Sequence, residues 1–152
     1  MATSHSLKIL LQHAQHLNDA SAKRLGQLNS EHLKAEQKLQ LLLDYRNDYN
    51  AGFQDAMKNG IEQIAWQNFL VFMGKLDAAI SEQRKAVARS QQNKEAGGED
   101  FLARQRTLKS YDTLSKRLQH AEALRLEKRE QHDLDERAAR QAENNSFTIK
   151  KN

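Results

Sequence analysis

Nothing in this chain is built to stop a helix. Its 152 residues contain no proline and only 6 glycines, the two residue types that interrupt helices most effectively. Over Leu25, Leu28, His32, Ala35, Leu39, Leu42, Arg46, Tyr49 and Phe53 the steps alternate between three and four. That alternation is the heptad rhythm of a helix that packs along one narrow stripe. An earlier run at Leu7, Leu10, Ala14 and Leu17 leads into it after one break in spacing. Ser4 or Ser6 can cap the start of this first helix.

The rhythm fades in Ala51–Gly60, where Gly52 and Asn59-Gly60 punctuate the chain. Asn59 followed by Glu62 three residues later resembles a capping box, which predicts a new helix from about there. The second helix repeats the spacing at Trp66, Phe69, Met73, Leu76, Ile80, Gln83 and Val87. Gly97-Gly98 then predicts a kink, a short break or a turn. The pattern returns more weakly at Leu108, Tyr111, Leu114, Leu118, Ala121 and Leu124, then Leu134 and Ala138. From Asn144 the tail is polar and is expected to fray.

Apolar residues make up 38 % and charged residues 29 %. A compact globule of that polarity would struggle to fill a core, whereas a helical pair needs one apolar stripe per helix. The expected fold is therefore all-α: a long antiparallel two-helix coiled coil, or helical hairpin, with an overhanging C-terminal helix. One coiled-coil domain spans residues 1–152, with helix A at about 5–57, a turn at about 52–61, helix B at about 61–143 and a polar tail at 144–152. Folding at about residue 59 places Leu42 level with Leu76, Tyr49 with Phe69 and Leu7 with Tyr111. Residues beyond about 112 then have no partner on helix A.

A two-stranded seam uses only one stripe, yet each helix carries more. Leu42, Tyr45 and Tyr49 lie about 50–80° to one side of the seam at about 100° per residue, and Phe72, Leu76 and Ala79 do the same on helix B. The two rows fall at the same level and form an apolar-aromatic flank of the kind that meets partners. The competing reading is that they pack under a folded-back C-terminal segment or thicken the core near the turn.

Enzyme chemistry has no visible basis. Cysteine is absent, which removes disulfides, thiolate metal sites and cysteine nucleophiles and fits a reducing compartment. His13 and His16 share a helical face, but no carboxylate stands in a Glu-x-x-His relation to any of the 6 histidines. No phosphate-binding glycine loop is present, since Gly97-Gly98 precedes Glu99 and Asp100. Neither a cofactor nor a metal is expected. No apolar run reaches the ~18 residues of a membrane span, and Ile9-Leu10-Leu11 is too short for a signal-peptide core. The sequon Asn144-Asn145-Ser146 then carries no meaning, because glycosylation belongs to secreted chains.

Net charge is +4, and the excess sits in residues 101–152, which hold 12 Lys/Arg against 8 Asp/Glu. A basic third can steer a partner or touch nucleic acid or membrane, and it can equally be a solvated face. Its few aromatics and interspersed acids argue against nucleic acid.

The stretch Leu42-Leu43-Asp44-Tyr45-Arg46-Asn47-Asp48-Tyr49, followed by Gly60-Ile61, Trp66, Phe72, Leu76 and Ala79-Ile80, resembles the flagellar FliJ family. The match is best over residues 30–83, and length and hairpin plan extend it to the whole chain. The resemblance implies a soluble component of the flagellar type III export apparatus, similar in form to the stalk subunit of rotary ATPases. Implied partners are the hexameric export ATPase, the cytoplasmic domain of the export-gate membrane protein, and export chaperones. The implied location is cytoplasmic, peripheral at the inner membrane.

The family's gate-binding surface, carried over residue by residue, falls on Leu42, Tyr45, Tyr49, Phe72, Leu76 and Ala79. Lys38 stands where the family pattern has glutamine, and Gln83 where it has histidine. The alternative from another class is a structural or chaperone-like coiled coil of a related secretion system that binds cargo directly.

Overall fold

A computed structural model describes residues 2–151. Two helices account for nearly all of them: α1, Ala2–Lys58, and α2, Gln63–Lys150. The connection is shorter and later than the glycines suggested. Gly52 sits inside α1, where one exposed glycine costs only about 1 kcal/mol and Tyr49 and Phe53 hold the helix to its partner on either side. The chain turns at Gly60, whose φ of +82° is a conformation open to glycine and strained for other residues. The amides of Asn59 and Gly60 donate to the carbonyls of Ala56 and Met57, tightening the last turn. Asn59 thus closes α1 and does not cap α2; the Glu62 carbonyl accepts the first bond of α2, from the Trp66 amide.

His16–Gln105 forms one compact unit. Within it, Ser21, Leu25, Leu28, His32, Ala35, Leu39, Leu42, Arg46, Tyr49 and Phe53 of α1 are buried or half-buried. They face Phe69, Met73, Leu76, Ile80, Gln83, Val87, Ser90, Lys94, Gly97 and Phe101 of α2, which are buried or half-buried in the same three-four alternation. Phe69, Leu76 and Ile80 are the most enclosed large side chains. Leu28 meets Gly97, His32 meets Ser90 and Phe53 meets Phe69. These pairs centre the hairpin at about residue 61, two later than the expected fold point.

The seam is polar in places. Buried His32 bonds through Nδ1 to the Ser90 hydroxyl at 2.8 Å, and its Nε2 lies 2.9 Å from Glu36. Gln83 donates across the seam to the Ala35 carbonyl at 2.9 Å. Arg46 reaches Asp77 at 2.6 Å; that hydrogen bond first, and the carboxylate charge second, raise the guanidinium above its ordinary value.

The Gly97-Gly98 pair does not break α2. Gly97 is a buried seam residue, and a Cβ built there would stand 2.5 Å from Leu28 Cδ1. The glycine makes room for a leucine of the facing helix, so helix continuity here follows from packing.

Met1–Gln15 and Arg106–Asn152 form the second unit. Ala14 is buried at 4 % exposure, and Leu7 and Leu11 line a shallow groove with Ser115, Leu118 and Glu122. Leu11 therefore takes the seam place expected for Leu10, which is exposed, and Ser115 the place expected for Leu114. Leu7 lies beside Leu118 instead of Tyr111, so pairing reaches Glu122 and the overhang starts about ten residues later than expected. Every described side chain from Gln119 onward is exposed, including Ala121, Leu124, Leu134 and Ala138. The expected fraying at Asn144 is replaced by helix to Lys150, where Ser146 and Thr148 donate to the Glu143 and Asn144 carbonyls.

Candidate functional site

Near the turn the heptad stripe becomes aromatic on both helices. Tyr45, Tyr49 and Phe53 recur every four residues along α1, which stacks them on one face. On α2, Trp66, Phe69 and Phe72 recur every three and climb the facing side. The rings interleave. Phe53 stacks on Phe69 with centroids 3.6 Å apart and tilts against Trp66 at 5.4 Å. Tyr49 stacks on Phe69 at 5.5 Å and packs on Phe72 at 4.5 Å. Tyr45 closes the ladder with an edge contact to Phe72 at 6.0 Å and a stacked one to Tyr49 at 6.4 Å. Pairs of this geometry hold rings in fixed orientations.

The six expected partner-binding residues divide along this ladder. Leu76 is 7 % exposed and belongs to the seam, not to a flank beside it. Leu42, Tyr49 and Phe72 are half-buried, each with one side in the seam and one outside. Ala79 is exposed. Tyr45 is 52 % exposed although it is held by two ring contacts. The row therefore partly thickens the core, as the competing reading held, while its outer edge stays open. α2 is one continuous helix from Gln63 to Lys150.

Two further features lie outside the heptad reading. Leu41, one turn before Tyr45, is 69 % exposed and extends the open edge along α1. Around the turn Met57, Ile64, Leu70 and Val71 are also exposed. Their only signal in the sequence is a large apolar residue at a position the three-four alternation skips. The two positions that depart from the family pattern have separate fates. Lys38 is exposed, while Gln83 spends its amide on the α1 backbone and so presents little outward.

The arrangement offers contact area and oriented rings. The concavities are open grooves, and among the described residues no three His, Cys, Asp or Glu side chains gather as a metal site. No described helix is long and apolar enough to cross a membrane.

Comparison with known proteins places the chain in a family. The model of the family described as "Flagellar FliJ protein" matches residues 3–146. The Flagellar FliJ protein of Salmonella typhi is 29 % identical over 142 residues, covering 93 % of this chain and 97 % of that protein. The Flagellar FliJ protein of Escherichia coli (strain K12) is 28 % identical over 142 residues, with the same coverage.

Proposed function

The chain belongs to the flagellar FliJ family, and on that premise we propose that it serves flagellar type III protein export as a stalk-like coupling protein. In this reading it links the hexameric export ATPase to the cytoplasmic domain of the membrane export gate and handles export chaperones. It works by contact, without catalysing a reaction, at the cytoplasmic face of the inner membrane.

One observation carries the gate contact. The Tyr45 ring is oriented by Tyr49 and Phe72 yet stays half open to solvent, on a hairpin whose seam is already filled by other residues. An aromatic that is held in place but not buried has its ordering cost met in advance and keeps its area for a partner. Leu42, Tyr49, Phe72 and Ala79 would form the rest of that surface, with Leu41 extending it. Leu76 supports it from beneath.

The test is titration of the gate's cytoplasmic domain with the native protein and with Tyr45→Ala. Truncating an interface aromatic commonly costs ~2 kcal/mol, so binding should weaken at least about tenfold while helicity holds and stability falls by no more than about 1 kcal/mol, the loss of two half-exposed ring contacts. Phe72→Ala should weaken binding similarly but also lose roughly 1–2 kcal/mol of stability, because Phe72 packs on Tyr49. Unchanged affinity with Tyr45→Ala would remove the row from the gate contact.

A further inference from the structure

The basic excess of the C-terminal third has no role in the gate surface. In the second unit it concentrates on one face of α2. At about 100° per residue, Lys109, Leu114, Arg117, His120 and Leu124 all lie within about 90° of Arg106. No carboxylate shares that face between Arg106 and Arg125. Asp112 is half-buried toward the seam and pairs with Lys116 at 3.0 Å, and Glu122 lines the groove against α1. The stripe ends where Glu127 returns to the face.

Three of its four cations are also uncommitted; the fourth, Lys116 at its edge, is paired. Arg104, Lys116 and Arg140 each hold a carboxylate one turn away. Among the described residues Arg106, Lys109 and Arg117 have no such partner, and all three are exposed. Between them Leu114 and Leu124 stand 47 % and 44 % exposed. Ser110 and Thr113 donate to the Arg106 and Lys109 carbonyls, so their hydroxyl protons point into the helix.

We propose that this face, Arg106 to Leu124 of α2, docks on an anionic lipid surface. Long cations interleaved with single leucines suit a diffuse sheet of negative charge, into which leucine tips can dip. The face has no aromatic; Tyr111 is half-buried on the opposite side. It therefore lacks both the stacking platform that single-stranded nucleic acid uses and the aromatic anchor typical of a protein hot spot.

The experiment is flotation of the full-length protein with phosphatidylcholine vesicles, with or without about one third phosphatidylglycerol. Binding to the anionic vesicles alone is expected, and it should vanish near 0.5 M salt, roughly where screening is complete. Each cation near such a surface adds about fivefold to partition. Replacing three at once, Arg106→Gln, Lys109→Gln and Arg117→Gln, should therefore weaken binding about a hundredfold. Glutamine keeps helix propensity, and circular dichroism verifies the fold. A control with the same charge loss on exposed residues of the other unit, Lys34→Gln, Arg84→Gln and Arg89→Gln, should bind within about twofold of native.

No flotation on anionic vesicles, or equal losses in the two triple variants, would overturn the proposal. Tighter binding to a single-stranded oligonucleotide, lost in the first triple variant, would overturn it in favour of nucleic acid. The assay contains neither ATPase nor gate, so its failure leaves the coupling reading standing.

Discussion

A methyl group added at residue 97 would press on Leu28, whereas one added at residue 98 would meet nothing within 4 Å. The two adjacent glycines therefore answer the same substitution differently. Gly98→Ala should stabilise by roughly 0.5–1 kcal/mol, the helix-propensity gain of alanine. Gly97→Ala must turn Leu28 out of its place, at a cost that offsets the gain, so it should fall at least about 1 kcal/mol below Gly98→Ala. Thermal unfolding of the two variants side by side checks this; equal gains would mean that Leu28 does not seat on Gly97. The same contact explains why the pair looked like an interruption. Sequence spacing registers a missing side chain as a gap, and only the facing helix reveals that the gap is occupied. His32, Gln83 and Arg46 show the converse: they kept the spacing legible and concealed the polar contacts made to Ser90, Ala35 and Asp77.

Along the helices, legibility follows how often a seam position is apolar. From Leu25 to Phe53 most positions are, and the expected seam there is the observed one. Before it, Leu11, Ala14, Asn18 and Ser21 continue the alternation into Leu25, but two polar residues in succession made it look broken. Lys94 does the same on α2, its stem half-buried and its charge free to reach water. A long seam sums many small contributions, so isolated polar layers cost little and leave no trace in an apolar pattern. Of the candidate surface, Tyr45 and Ala79 could be placed off the seam from spacing alone. Leu76 was legible both ways, since the three-four alternation counts it in the seam while its angle from the seam centre counts it in the flank, and its burial decides for the seam. The overhang yields an element-scale prediction. The described residues after Arg125 are all exposed, so ending the chain there should change the free energy of unfolding by less than about 1 kcal/mol. Denaturation followed by helical ellipticity tests this; a larger loss would place unrecognised packing on residues 126–151.

At the scale of the whole molecule, 88 residues of α2 are presented with only part of their length matched by the 57 residues of α1. In the coupling role proposed above, each contact rests on its own stretch of helix. Tyr45 and its neighbours lie by the turn, and the basic face lies beyond Arg106. Coupling of the export ATPase to the gate then requires that the ATPase contact be separable from Tyr45. The most direct measurement is the rate of ATP hydrolysis by the hexameric flagellar export ATPase with and without an equimolar amount of this protein. The account predicts stimulation by the native chain and by Tyr45→Ala alike, and its loss when residues 101–152 are removed. No change in rate with the native chain, together with no co-sedimentation, would contradict coupling and favour a coiled coil that binds exported cargo directly.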